Sequence, residues 1–257
     1  MQKLTALLFA TLAMLTIPAV ASDLEKEGRW AEQVVDALLD GEAVYLNDGR
    51  GDFLAIETES ADGELRKAAI VMHGTGVHPN WPTVVLPLRV ELTQSGWHTL
   101  SIQMPVLPNE AEHAEYAKIY DWVPGRLDAA IDYLRDKGFD KIVLIAHSQG
   151  STMTSYYLSE APKPVDGFVA IGMSGGIAGG PMDSLAQLPT YKLPMFDLYG
   201  SEDLPEVLAS ADQRAAQAKQ SGGDYTQQMV DGADHFFEGE ENELLDAVNA
   251  WLDARFP

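Results

Sequence analysis

The 257-residue chain contains no cysteine. Disulfides, thiolate zinc sites, Fe–S clusters and thiol nucleophiles are therefore excluded. A lipoprotein anchor, which needs an acylated cysteine, is excluded with them. Basic side chains are scarce, with 17 Lys and Arg against 39 Asp and Glu, a formal charge of −22. So large an acidic surplus leaves nothing to neutralise phosphates, which argues against nucleic acid as a partner and against docking on anionic lipid. No stable membrane anchor is expected, because the apolar run Leu4–Ile17 is too short to span a bilayer comfortably. H-E-x-x-H, G-x-G-x-x-G and the P-loop lysine motif are missing as well, so neither a metal nor a cofactor is expected.

What is present suits a packed domain. Apolar residues make up 46% of the chain, enough for a real core. The first residues read as a secretory leader: Lys3 is a short basic region, Leu4–Ile17 an uncharged apolar run, Pro18 a helix breaker, and Ala19-Val20-Ala21 a small-x-small cleavage site. Cleavage after Ala21 is expected, with the mature protein in the periplasm or secreted. Residues 22–257 then form a single domain, with a helix over 22–41 and no repeat or dividing linker.

Within that domain, Trp30, Val34 and Leu38 recur at helical spacing, and Asn47-Asp48-Gly49 predicts a hairpin turn between strands near 43–47 and 52–58. Apolar runs at 68–72, 97–102, 142–146, 167–171 and 193–199, with a last strand at 225–230, then alternate with helical patterns at 84–94, 124–137, 149–159, 204–220 and 240–252. That alternation predicts an α/β fold with a mostly parallel central sheet and helices on both faces. Gln103 to Val123 is the one long stretch read as irregular, and long loops in compact domains are often functional.

Ala146-His147-Ser148-Gln149-Gly150 joins the purest strand to a helix. A serine on so sharp a turn is forced into strained backbone with its hydroxyl clear of the sheet edge. Alanine stands where G-x-S-x-G has its first glycine. The literal match lies elsewhere, at Gly172-Met173-Ser174-Gly175-Gly176, but Gly and Pro after it cannot start a helix, so Ser174 is expected only to border the site. A serine needs a base, and of six histidines His235 follows the last strand, where open α/β sheets place their ligand sites. Asp203 is the best acid to orient it, although Asp203 with Glu206 also fits a helix capping box; Glu202 is the fallback. His73-Gly74-Thr75-Gly76 ends the first buried strand, so the backbone N–H groups of Thr75 and Gln149 are the candidate oxyanion donors. His73 itself reads as structural.

With its elbow, His-Gly loop, Gly200-Ser201-Glu202-Asp203 and Gly232-Ala233-Asp234-His235-Phe236, the chain resembles the α/β-hydrolase superfamily of serine hydrolases over residues 41–257. The stretches His73–Pro82 and Leu100–Pro105 look like an exported bacterial branch catalogued as a domain of unknown function. The resemblance implies the α/β-hydrolase fold, and the short stretch between the strands ending near Gly172 and starting near Leu193, where such folds carry a large cap, leaves no room for one. It also implies a serine hydrolase working through Ser148, Asp203 and His235, but it gives no substrate; a small-molecule ester or thioester is expected over an amide on chemical grounds alone, because amide leaving groups need more help. The rival reading is a non-enzymatic binding or envelope-assembly protein on the same fold. Met104, Leu107 and Trp122 are candidates for the wall of a pocket for medium apolar acyl groups, the alternative being that they pack the Gln103–Val123 segment onto the core.

Overall fold

Seven strand residues, Lys141–His147, form the spine of the sheet, and their alternation explains the layers around them. Ile142, Leu144 and Ala146 join one apolar cluster, whereas Val143 and Ile145 join the other, as the two-residue period of a strand requires. A strand apolar on both faces must be covered on both, and it is. The computed structural model describes residues 21–63 and 66–257; the expected leader, 1–20 of it, lies outside them.

The strands are β1 (Glu42–Asn47), β2 (Asp52–Thr58), β3 (Lys67–Met72), β4 (His98–Ile102), β5 (Lys141–His147), β6 (Gly167–Ile171), β7 (Met195–Glu202) and β8 (Tyr225–Asp234). They form an eight-stranded sheet in the order β1-β2-β4-β3-β5-β6-β7-β8. β2 runs antiparallel to both β1 and β4, and the remaining neighbours are parallel. The helices are α1 (Leu24–Asp36), α2 (Val85–Glu91), α3 (Val123–Asp136), α4 (Gln149–Ser159), α5 (Ser184–Gln187), α6 (Pro205–Gln220) and α7 (Glu241–Arg255). Leu127 and Ile131 of α3 and Met153 and Tyr157 of α4 pack in one cluster. Leu88 of α2 and Leu244, Val248 and Trp251 of α7 pack in the other. A small third cluster seats Ala31 and Val34 of α1 against Leu54 and Ile56 of β2.

Two expectations change in detail. The first helix spans Leu24–Asp36 rather than 22–41, because the chain must turn into β1 at Gly41. There φ is +83°, and a Cβ would lie 2.5 Å from the Glu57 carbonyl oxygen. The stretch from Gln103 to Val123 is not all irregular: His113–Trp122 winds as a 3-10 helix, opened by a capping box between Glu112 and Glu115. Between β6 and β7 stand only α5 and a short 3-10 turn, Leu188–Thr190, so no cap domain covers the sheet edge.

Candidate active site

The site is assembled where β5, β7 and β8 end. Between β5 and α4 the chain reverses within one residue, and that residue is Ser148, at φ 55° and ψ −124°. This is left-handed backbone for a residue with a side chain, and its strain is held by neighbours. The Ser148 N–H donates to the Ile171 carbonyl at 2.8 Å. The Ser151 hydroxyl donates to the Ala146 carbonyl at 2.6 Å. Gly150 is required by close approach, since a Cβ there would meet the His73 carbonyl oxygen at 2.5 Å. Ala146, by contrast, points its methyl into the core and fits without displacement.

His235 leaves the end of β8 with its Nε2 2.9 Å from Ser148 Oγ and its Nδ1 2.6 Å from Asp203 Oδ1. A carboxylate only accepts, so Nδ1 carries the hydrogen and Nε2 is left to accept from the serine hydroxyl. Asp203 is held in turn by the N–H of Leu204 at 2.7 Å and that of Gly200 at 3.3 Å. Its carboxylate therefore does not cap α6; the cap position is Leu204, which makes no side-chain bond. Glu202 is exposed at the end of β7 and takes no part. Gly172 gives the imidazole room, because a Cβ there would lie 2.9 Å from His235 Cε1. The first glycine of the literal motif thus serves the histidine, while Ser174 lies at the cleft edge with its Oγ accepting from the Gly176 N–H.

Two further histidines support the site as neutral groups. His147 donates from Nε2 to the His235 carbonyl at 2.9 Å, which fixes the loop carrying His235. Burial, aided by the neighbouring His235, pushes its pKa down to about 4. His73 lies at the base of the loop Gly74-Thr75-Gly76, with Nδ1 bound to the Gly74 carbonyl at 2.8 Å and Nε2 accepting from the Met104 N–H at 2.9 Å. Burial holds its pKa down at about 3.

Thr75 and Gln149 both border Ser148. The Gln149 N–H opens α4 and so has no acceptor within the helix. Among the described residues the Thr75 N–H has none either. The cleft around them holds about 90 Å³. Leu204, Glu206 and Val207 at the start of α6 line it, together with His113. Sequence reasoning missed these α6 positions, although their signal was present: a helix beginning directly after Asp203 must pass close to His235 and Ser148.

The expected pocket wall is corrected by the structure. Met104, Leu107 and Trp122 are only 1%, 4% and 8% exposed and belong to the core under α3. The 3-10 coil explains the difference, because it turns Tyr116, Ile119, Tyr120 and Trp122 inward and leaves only His113 of that segment at the cleft. Larger hollows of about 400, 600 and 340 Å³ lie beside α1, at the foot of the sheet and beside the start of β1, and none of these is lined by Ser148 or His235. Among the described residues no group of three or more His, Asp or Glu side chains is placed to hold a metal ion.

Comparison with known proteins fits this architecture. The profile of a family described as "Protein of unknown function (DUF3530)" matches residues 16–119 and 108–254. No curated protein matches the chain. Among solved structures, Est1E from Butyrivibrio proteoclasticus is 15% identical with a TM-score of 0.66, covering 84% of this chain and 99% of its own. An esterase from Pyrococcus furiosus is 16% identical with a TM-score of 0.67, covering 87% and 96% respectively. A dienelactone hydrolase from Anabaena variabilis is 19% identical with a TM-score of 0.61, covering 85% and 99%. At these identities the likeness is one of fold, and the fold is that of the α/β hydrolases.

Proposed function

The chain belongs to the DUF3530 family, and on that footing we propose that it is a serine hydrolase that cleaves small carboxylic esters or thioesters through an acyl-enzyme on Ser148. The observation that carries this reading is the continuous chain from Ser148 Oγ to His235 Nε2 at 2.9 Å and from His235 Nδ1 to Asp203 Oδ1 at 2.6 Å. Several fold neighbours are described as esterases or hydrolases, which agrees with it.

Ser148 Oγ attacks the carbonyl carbon as its proton passes to His235 Nε2. Asp203 holds the ring and stabilises the imidazolium. The N–H groups of Thr75 and Gln149 receive the developing oxyanion. His235 then protonates the departing alkoxide or thiolate, and water resolves the acyl-enzyme by the same path. Esters and thioesters are favoured over amides because their leaving groups depart with less help. A cleft of about 90 Å³ with Leu204 and Val207 as its apolar wall suits short acyl groups. The charge of −22 repels anionic substrates, most strongly at low salt. The expected leader supports a destination in the periplasm or outside the cell, and the exported protein should begin at Ser22 by intact mass; a retained leader would contradict that destination.

Turnover of 4-nitrophenyl esters from acetyl to octanoyl tests the reading. Short acyl esters should be preferred, and Ser148→Ala should lower turnover by about 10⁴-fold or more. Equal turnover by wild type and Ser148→Ala would refute it.

A further inference from the structure

Two walls of the cleft come from separate elements. Leu204, Glu206 and Val207 stand at the start of α6, and Ser174 stands on the loop after β6. No side-chain bond caps α6 at Leu204, so the cap does not fix its first turn. The hold comes from further along the helix. Ser210 Oγ donates to the Glu206 carbonyl at 2.6 Å and accepts from the Gly175 N–H at 2.9 Å. It also accepts from Arg214 Nη1 at 2.7 Å, so its hydrogen and both lone pairs are in use. The loop packs directly on this residue, since a Cβ on Gly175 would lie 3.1 Å from Ser210 Cβ.

Arg214 anchors this knot to the sheet. It is fully buried, as is Asp197 of β7. Its Nε and Nη2 donate to Asp197 Oδ2 and Oδ1 at 2.8 and 3.2 Å, and its Nη1 donates to the Val207 carbonyl at 2.8 Å. Asp197 also accepts from the Tyr225 hydroxyl at 2.6 Å and from Gln227 Nε2 at 2.9 Å, both on β8. A buried ion pair often contributes little net stability, because desolvation offsets most of the attraction. What the planar guanidinium fork supplies is geometry. Here it fixes Val207 on one wall and, through Ser210, Gly175 beside the other.

We propose that Arg214, acting through Ser210, is the positioning residue that sets acyl-chain selection. The inference rests on Ser148 being the nucleophile and on the cleft beside it taking the acyl group. Neither Arg214 nor Ser210 lines the cleft, so neither touches substrate. They hold the two walls at a fixed separation, and the cleft between them stays at about 90 Å³. A rigid wall excludes each added methylene, whereas a wall free to move yields to it. Preference for short acyl groups is then a property of the tie between α6 and the loop, more than of any one lining side chain.

The test measures kcat/KM for 4-nitrophenyl hexanoate relative to 4-nitrophenyl acetate in the purified protein. Ser210→Ala cuts the tie at the loop and leaves Arg214 with Asp197. Arg214→Lys keeps the charge but cannot reach Asp197, Val207 and Ser210 together. Each should raise the hexanoate-to-acetate ratio about tenfold, and the double variant should gain little beyond the larger single effect, since both act on one unit. Tyr225→Phe removes another bond to the same buried carboxylate without touching either wall, so it should leave the ratio within about twofold. If Arg214→Lys does not fold, Ser210→Ala decides alone. A wild-type ratio in folded Ser210→Ala would overturn the inference and leave the Ser148 reading intact. So would a Tyr225→Phe ratio that rises as far as that of Ser210→Ala, because the shift would then report general loosening of the fold. Gains that multiply in the double variant would overturn it as well. A wild type that neither turns over esters nor reacts with a fluorophosphonate would overturn the Ser148 reading and this inference together.

Discussion

Asp203 and Glu202 are adjacent carboxylates with different surroundings, and the difference is set by one step along β7. Asp203 is buried, accepts two backbone N–H bonds and faces His235. Glu202 points to solvent. Replacing Asp203 by Asn should lower kcat about 10⁴-fold, because an amide there no longer holds the imidazole in the tautomer that accepts from serine. Glu202→Gln should leave kcat within about twofold, as expected for an exposed side chain outside the site. Steady-state kinetics of the two variants check this, and equal losses would mean that the acid has been misassigned. Sequence alone left the pair open, since Asp203 with Glu206 also satisfied a capping pattern. In the structure Leu204 takes the cap position, and the Asp203 carboxylate faces His235.

At the scale of elements, apolar periodicity was the most legible signal. The runs at β3, β5 and β6 and the stripe of α7 were readable because each is buried on the faces its period dictates. The elbow was readable because a serine between such a strand and a helix has few conformations open to it. The segment from Gln103 to Val123 was not readable, because a ten-residue 3-10 helix is longer than such helices usually run and matches neither common period. Its aromatics therefore looked like pocket lining. They are core, and so Leu107→Ala and Trp122→Ala should each destabilise the fold by about 2–5 kcal/mol. The preference between short and medium esters should be unchanged. Denaturant unfolding and a chain-length series together distinguish the two roles: stable variants with altered preference would return these residues to the pocket. The adjoining ion cluster is equally structural. Buried Arg126 donates to Glu27 of α1 at 2.8 Å and to Asp48 of the β1–β2 turn at 3.3 Å, tying both elements to α3. This association was invisible in sequence because the three residues are far apart along the chain.

For the molecule as a whole, the buried histidines set a pH limit. Folding holds the pKa of His147 at about 4 and that of His73 at about 3, each by burial against an ordinary value of 6.5. Below that ordinary value the unfolded chain binds protons that the folded chain refuses. Stability should therefore fall as pH drops from about 6.5 toward 4, by up to about 1.4 kcal/mol per pH unit for each histidine. Glu57 adds to the loss in stronger acid. Burial raises its pKa, but hydrogen bonds from His98, Lys137 and Tyr133 outweigh that and hold it at about 2. Its contribution is present above 4.5 and is lost as pH falls toward 2. Urea titrations between pH 4 and 7 should show a midpoint that rises with pH, and a flat midpoint would mean that these histidines protonate without unfolding the chain.

The central claim is that Ser148 is the nucleophile, and active-site labelling tests it most directly. The protein is treated with a fluorophosphonate and the modified peptide is sequenced by mass spectrometry. The account predicts stoichiometric modification on Ser148, none in Ser148→Ala, and normal modification in Ser174→Ala. Modification on Ser174, or none at all in folded protein, would contradict it.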